Sequence, residues 1–128
     1  MRLRQHLNLI FDILDSRGDV KVERLLTEET IPNYQGLVEG RLRFWDGSLL
    51  EFVEVLEMRG VILHKTDYAY HYQDKDAQLI FRYDNAPHHT SISTFPHHKH
   101  VRQQIESAKP PHLGDVLREV DQHLYPEP

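Results

Sequence analysis

Ten histidines lie in this 128-residue chain, and seven of them fall between His64 and His100. Five of those, His88, His89, His97, His98 and His100, crowd into thirteen consecutive positions. Just upstream stand His71, Arg82 and Asp84, on segments that alternate apolar and polar residues. Histidine titrates near neutral pH and both gives and takes protons there. Arginine presents a planar fork of donors that suits a phosphate or a carboxylate. Asp84 can orient an imidazole or the guanidinium. Together these residue types can cleave an RNA phosphodiester without a metal. A base takes the 2′-hydroxyl proton, an acid protonates the leaving oxygen, and Arg82 steadies the crowded phosphate. Lys99 and Arg102 lie close in sequence and are candidates to hold neighbouring phosphates. The plainer alternative leaves Arg82 and Asp84, two apart on one strand face, as a surface ion pair worth under about 1 kcal/mol. The five histidines alongside favour a site.

The same residues admit a metal. Among His97, His98 and His100, two imidazoles can lie on one side of an extended loop, with His88 or His89 supplying a third. Asp84 then completes a three-plus-one set suited to zinc, nickel or iron. The chain has no HExxH motif, no regular carboxylate spacing and no cysteine to supply a thiolate. Chemistry with no cofactor is therefore the first expectation, and a divalent transition metal the alternative. A third class is a non-enzymatic module that binds nucleic acid or protein through the histidine-rich loop. Asp46-Gly47-Ser48 holds a serine but no nucleophile elbow, and six scattered glycines give no nucleotide fingerprint.

These side chains need elements to hold them. Leu3, Leu7, Ile10 and Leu14 define one apolar helical face, with Gly18 as a stop. Val20 to Glu28 reads as a strand, and Pro32-Asn33 as a turn. Two strand-like runs then flank Asp46-Gly47, a dipeptide that tolerates the positive φ angles of a tight hairpin. A two-residue turn sets Phe44 opposite Leu49 and Val38 opposite Val55, on one face with Leu42 and Val53. Glu54 then joins Glu39, Arg41 and Arg43 on the other face and reads as part of a solvated charge lattice. In the next hairpin, Tyr68 to Gln73 and Leu79 to Asp84 alternate around a four-residue loop, Asp74 to Ala77. That register pairs Tyr72 with Leu79 and Tyr70 with Phe81 as an aromatic core face. It gathers His71, Arg82 and Asp84 on the other face. Beyond Asp84 we expect a long polar loop with a short strand or bridge at Ile92–Phe95, then a polar helical piece from Arg102 to Ala108. After Pro110-Pro111, a last helix carries Leu113, Val116, Leu117, Val120 and Leu124 on one stripe.

The expected fold is α+β: an antiparallel sheet of two hairpins plus an N-terminal strand, packed on one face by the N- and C-terminal helices. Residues 1–128 are expected to form a single domain, since the length closes one core and is short for two. No apolar run approaches the roughly 20 residues that cross a bilayer. The basic, then apolar, N-terminus is interrupted by Asp12 and Asp15 and reads as a helix and not a signal peptide. With no cysteine, a cytoplasmic compartment is expected. The formal net charge of −5 argues against a sequence-independent DNA coat. Apolar surface left over on the terminal stripes can dock a partner or a second copy as a homodimer.

The run FRYDNAPHHTSISTFPHHKH, Phe81 to His100, resembles the signature of the TumE-type toxin family of bacterial and archaeal toxin–antitoxin modules. DGSLLEFVE, Asp46 to Glu54, and YAYHYQ, Tyr68 to Gln73, are similar to that family's pattern as well. The resemblance implies a small toxin neutralised by direct binding of an antitoxin, usually an adjacent helix-turn-helix DNA-binding protein. Carried over by position, it points to Arg82, Asp84, His88, His89, His97, His98 and His100, with Glu54 and His71 as outlying members. It does not name a reaction; RNA cleavage follows from the residue types, with Lys99, Arg102 and Glu54 as substrate contacts.

Overall fold

The computed structural model describes residues 1–128. Helix α1 (Leu3–Asp15) is followed by seven strands and helix α2 (Leu113–Leu124). The strands are β1 (Val20–Ile31), β2 (Gln35–Phe44), β3 (Leu49–Arg59), β4 (Ile62–Gln73), β5 (Leu79–Asp84), β6 (His98–Val101) and β7 (Gln104–Ser107). They form one antiparallel sheet in strict chain order, a meander with no crossover. The expected α+β architecture is what forms. Both helices lay their apolar stripes on one face, burying Leu3, Leu7, Ile10 and Leu14 of α1 and Leu113, Val116, Leu117, Val120 and Leu124 of α2. Those stripes form part of the hydrophobic core. Leu9 and Phe11 of α1 lie outside them and are exposed.

The β2–β3 hairpin departs from the expected register by one residue. Phe44 N–H donates to Ser48 O and Gly47 N–H to Phe44 O, each at 3.0 Å, closing a three-residue loop with Gly47 at φ +84°. A three-residue hairpin loop of this kind puts a left-handed residue last, and glycine adopts that conformation at no steric cost. Arg43 therefore pairs with Leu49, Leu42 with Leu50 and Val38 with Glu54. Because strand side chains alternate, a slip of one exchanges the faces of β3. Leu50, Phe52, Glu54 and Leu56 face the helices, in place of Leu49, Val53 and Val55. Phe52 lies over Gly40, directly across from it, where an added Cβ would meet the ring at 2.2 Å.

The β4–β5 register is also shifted, but by two. Asp74 N–H donates to Gln78 O, Ala77 takes φ +63°, and the extra residue Ile80 is absorbed just before Phe81. Tyr72 thus pairs with Phe81, Tyr70 with Tyr83 and His71 with Arg82. A shift of two preserves the faces, so Tyr68, Tyr70, Tyr72 and Phe81 form the buried aromatic surface as expected.

The segment after β5 differs more. Ile92–Phe95 forms turns and no strand, while the expected helix from Arg102 to Ala108 is instead a tight turn followed by β7. Val101 pairs with Gln104, and Arg102 in the turn has φ +55°. A two-residue hairpin needs such a backbone, and the ladder to β6 holds β7 although all four of its residues are exposed.

Candidate active site on the open face of the sheet

Arg82 and Asp84 sit two apart on β5, so both project from the face opposite the helices. His71 faces Arg82 from β4; His100 and His98 of β6 lie directly across from Arg82 and Asp84. Strand pairing alone therefore collects five of the expected residues. The turns between β5 and β6 bring in a sixth, His89, whose ring centroid is 4.9 Å from that of His98 and 5.7 Å from that of His100. The His98 and His100 rings are 4.8 Å apart, edge to face.

Asp84 is the hub. Its Oδ1 accepts from the Ala86 amide at 3.0 Å and lies 2.8 Å from His98 Nε2. Its Oδ2 accepts from Arg82 Nε at 2.9 Å and is 3.5 Å from His100 Nε2. Burial by itself would raise the Asp84 carboxyl; the Ala86 amide, Arg82 and His98 outweigh it and hold the group below its ordinary range. His98 is only 2% exposed, and its Nδ1 is 2.8 Å from the Pro96 carbonyl oxygen. Both ring nitrogens thus meet oxygen atoms, Asp84 Oδ1 on one side and the Pro96 carbonyl on the other.

His71 Nδ1 accepts from Arg82 Nη1 at 3.3 Å, which places the ring's own hydrogen on Nε2. Burial, then the Arg82 charge, lowers the His71 value, so the ring is neutral at pH 7. Burial likewise lowers His100; Asp84 opposes this, while His98, His89 and Arg82 reinforce it. The site therefore pairs neutral imidazoles at its mouth with a buried carboxylate–imidazole pair behind. Arg82 spends two of its nitrogens on Asp84 and His71 and keeps Nη2 free of both. Beside it an open groove of about 590 Å³ runs across the sheet, lined by Arg24, Glu39, Arg41, Glu51, His71 and Arg82 among others. Its arginines are paired: Arg41 with Glu23 and Glu51, Arg24 with Glu39.

The remaining expected residues lie elsewhere. Alternation sends His97 and Lys99 through to the helix side. His97 stacks on Tyr68 at 5.8 Å, with its Nδ1 2.9 Å from the Tyr68 hydroxyl. Lys99 Nζ reaches Glu119 of α2 at 2.7 Å, over the rings of Phe81 and Tyr83. Neither position lets these residues join the cluster, so Lys99 is not a neighbour of Arg82 and His97 is not a partner of His98 and His100. Arg102 is exposed on the β6–β7 turn, and His88 is exposed in the turns before β6. The three imidazoles with ligating nitrogens within 4.8 Å of one another are His89, His98 and His100, which corrects the set His97, His98 and His100.

Glu54 is the largest relocation, from a solvated lattice to 1% exposure under the helices. His6 Nε2 contacts it at 2.7 Å, Tyr70 donates its hydroxyl to it, and Lys65 Nζ lies 3.9 Å away. Lys65 also donates to the Tyr70 hydroxyl and, at 2.5 Å, to the Pro111 carbonyl. Burial would raise the Glu54 carboxyl, but His6, Lys65 and Tyr70 together hold it low; burial lowers Lys65 despite Glu54. His6, Lys65 and Tyr70 carried no sequence signal: His6 merely flanks an apolar stripe, and Tyr70 reads as core. This network fastens α1 and the approach to α2 onto the sheet, away from the open face.

A family model described as Toxin TumE matches residues 10–124 of the chain. No curated protein matches it. No solved structure matches it.

Proposed function

The chain belongs to the TumE toxin family, the toxin half of a toxin–antitoxin module with a cognate antitoxin as partner, and we propose that it acts as a metal-independent endoribonuclease. The observation that carries this reading is the gathering of Arg82, Asp84, His71, His89, His98 and His100 on the one sheet face without a helix over it. His100, neutral and backed by Asp84 Oδ2, takes the 2′-hydroxyl proton of a bound ribonucleotide. The 2′-oxygen then attacks phosphorus and the bond to the 5′-oxygen breaks. His89 gives that oxygen a proton. Arg82 Nη2 binds the phosphate as charge gathers on it. Asp84 and the withdrawn His98 are positioning residues. The neighbouring groove, with its arginines, tracks the strand on either side. The antitoxin in this reading is a helix-turn-helix DNA-binding protein, and the compartment is the cytoplasm.

The test is cleavage of a synthetic single-stranded RNA by the purified chain in excess chelator. We expect products ending in a 2′,3′-cyclic phosphate, no cut at a 2′-deoxy position, and a loss of about 10²–10⁴-fold in His100→Ala. Cleavage that continues past 2′-deoxy positions, or an unaltered rate in both His100→Ala and Arg82→Ala, would overturn the proposal.

A further inference from the structure

The geometry points to a divalent transition-metal site made by His89, His98 and His100 with Asp84, occupied in place of substrate. Ligating nitrogens of the three rings lie within 4.8 Å of one another, about the spread that a modest closure brings onto one ion. The hydrogen bond of His98 Nδ1 to the Pro96 carbonyl at 2.8 Å is the outer contact that metal-binding histidines use to fix their tautomer. It aims Nε2 at the Asp84 carboxylate, 2.8 Å away, with His100 Nε2 at 3.5 Å from the other oxygen. A metal on His98 Nε2 would lie between that ring and the Asp84 carboxylate. Three imidazoles and one carboxylate suit zinc, cobalt or nickel and not magnesium, which prefers oxygen ligands. His89 and His100 are partly exposed, so the ion has a path in from the open face.

The consequence rests on the ribonuclease reading. Metal on His89 and His100 occupies the nitrogens that would carry protons, so the loaded toxin is blocked. Binding itself is measured without RNA. Metal-free protein is titrated with cobalt(II) while its visible absorption is followed, then displaced with zinc. One ion per chain is expected, with affinity falling at least about tenfold in His89→Ala and in His100→Ala. His88→Ala and His97→Ala should bind as the parent does. Binding that follows His88 or His97, or weak uptake of several ions unaltered in all four variants, would overturn the site. With RNA present, saturating zinc should lower the cleavage rate at least about tenfold and chelator should restore it. A rate that rises with zinc would overturn the blocking role. Failure of the ribonuclease reading appears separately, as no cleavage by metal-free protein.

Discussion

The Asp84 carboxylate lies 2.8 Å from His98 Nε2 across two neighbouring strands, and both side chains are almost wholly withdrawn from solvent. Removing one partner of such a pair leaves the other buried without compensation. Asp84→Ala is expected to lower unfolding stability by about 3 kcal/mol. Asp84→Asn, which keeps an acceptor for the Ala86 amide, should lose less. Urea denaturation of the two variants side by side checks the order.

The acid response has a definite sign. His71 and His100 are lowered from 6.5 in the folded chain, so unfolding lets them take protons between their folded values and 6.5. Their contribution is therefore present above pH 6.5 and lost as pH falls below it. Asp84, lowered from 3.8, adds a further loss at more acidic pH, as pH drops through its folded value. Stability measured from pH 7.5 down should decline first below 6.5, with a shallower decline in His71→Gln. An equal slope in that variant would contradict the assignment.

Glu54 should matter for folding and not for the open face. Glu54→Ala strands Lys65 and is expected to cost about 3–5 kcal/mol. Joint replacement of Glu54 by Leu and Lys65 by Met should recover much of that loss. If Glu54→Ala were as stable as the parent, the buried network would not be holding the helices down.

Neighbours on β6 should separate cleanly. His97→Ala and Lys99→Ala touch only the helix side, so RNA cleavage should stay within about threefold of the parent while stability drops by about 1 kcal/mol. His100→Ala should show the reverse. Parallel rate and melting measurements on the three proteins decide it.

Gly40 has no room for a side chain, since a Cβ there would sit 2.2 Å from the Phe52 ring. Gly40→Ala should destabilise by about 1–3 kcal/mol through overpacking. Combining it with Phe52→Leu should relieve part of the cost, as a double-mutant cycle would register.

Much of the site was legible because it needs only alternation. Arg82 and Asp84 share a face on any strand, and His71 joins them under either the expected register or the observed one, since these differ by two residues. β7 was not legible: Gln104–Ser107 has no apolar alternation, and only its ladder to β6 makes it a strand. Nor was the segregation of His97 from His98, which requires knowing that the histidine run is itself a strand.

The α+β layering is written in the residue pattern, because two amphipathic stripes and alternating strands can bury their apolar faces only against each other. The chemical types at the site are written there too. Which face each β3 residue takes, and so whether Glu54 meets water or the core, is set by the strand register. A three-residue loop in place of a two-residue one shifts the β2–β3 pairing by one, and a shift of one exchanges faces where a shift of two does not. The observed register buries Leu50, Phe52 and Leu56 in the core. Burial of that set under helices distant in the chain is a tertiary contact, which local spacing does not encode.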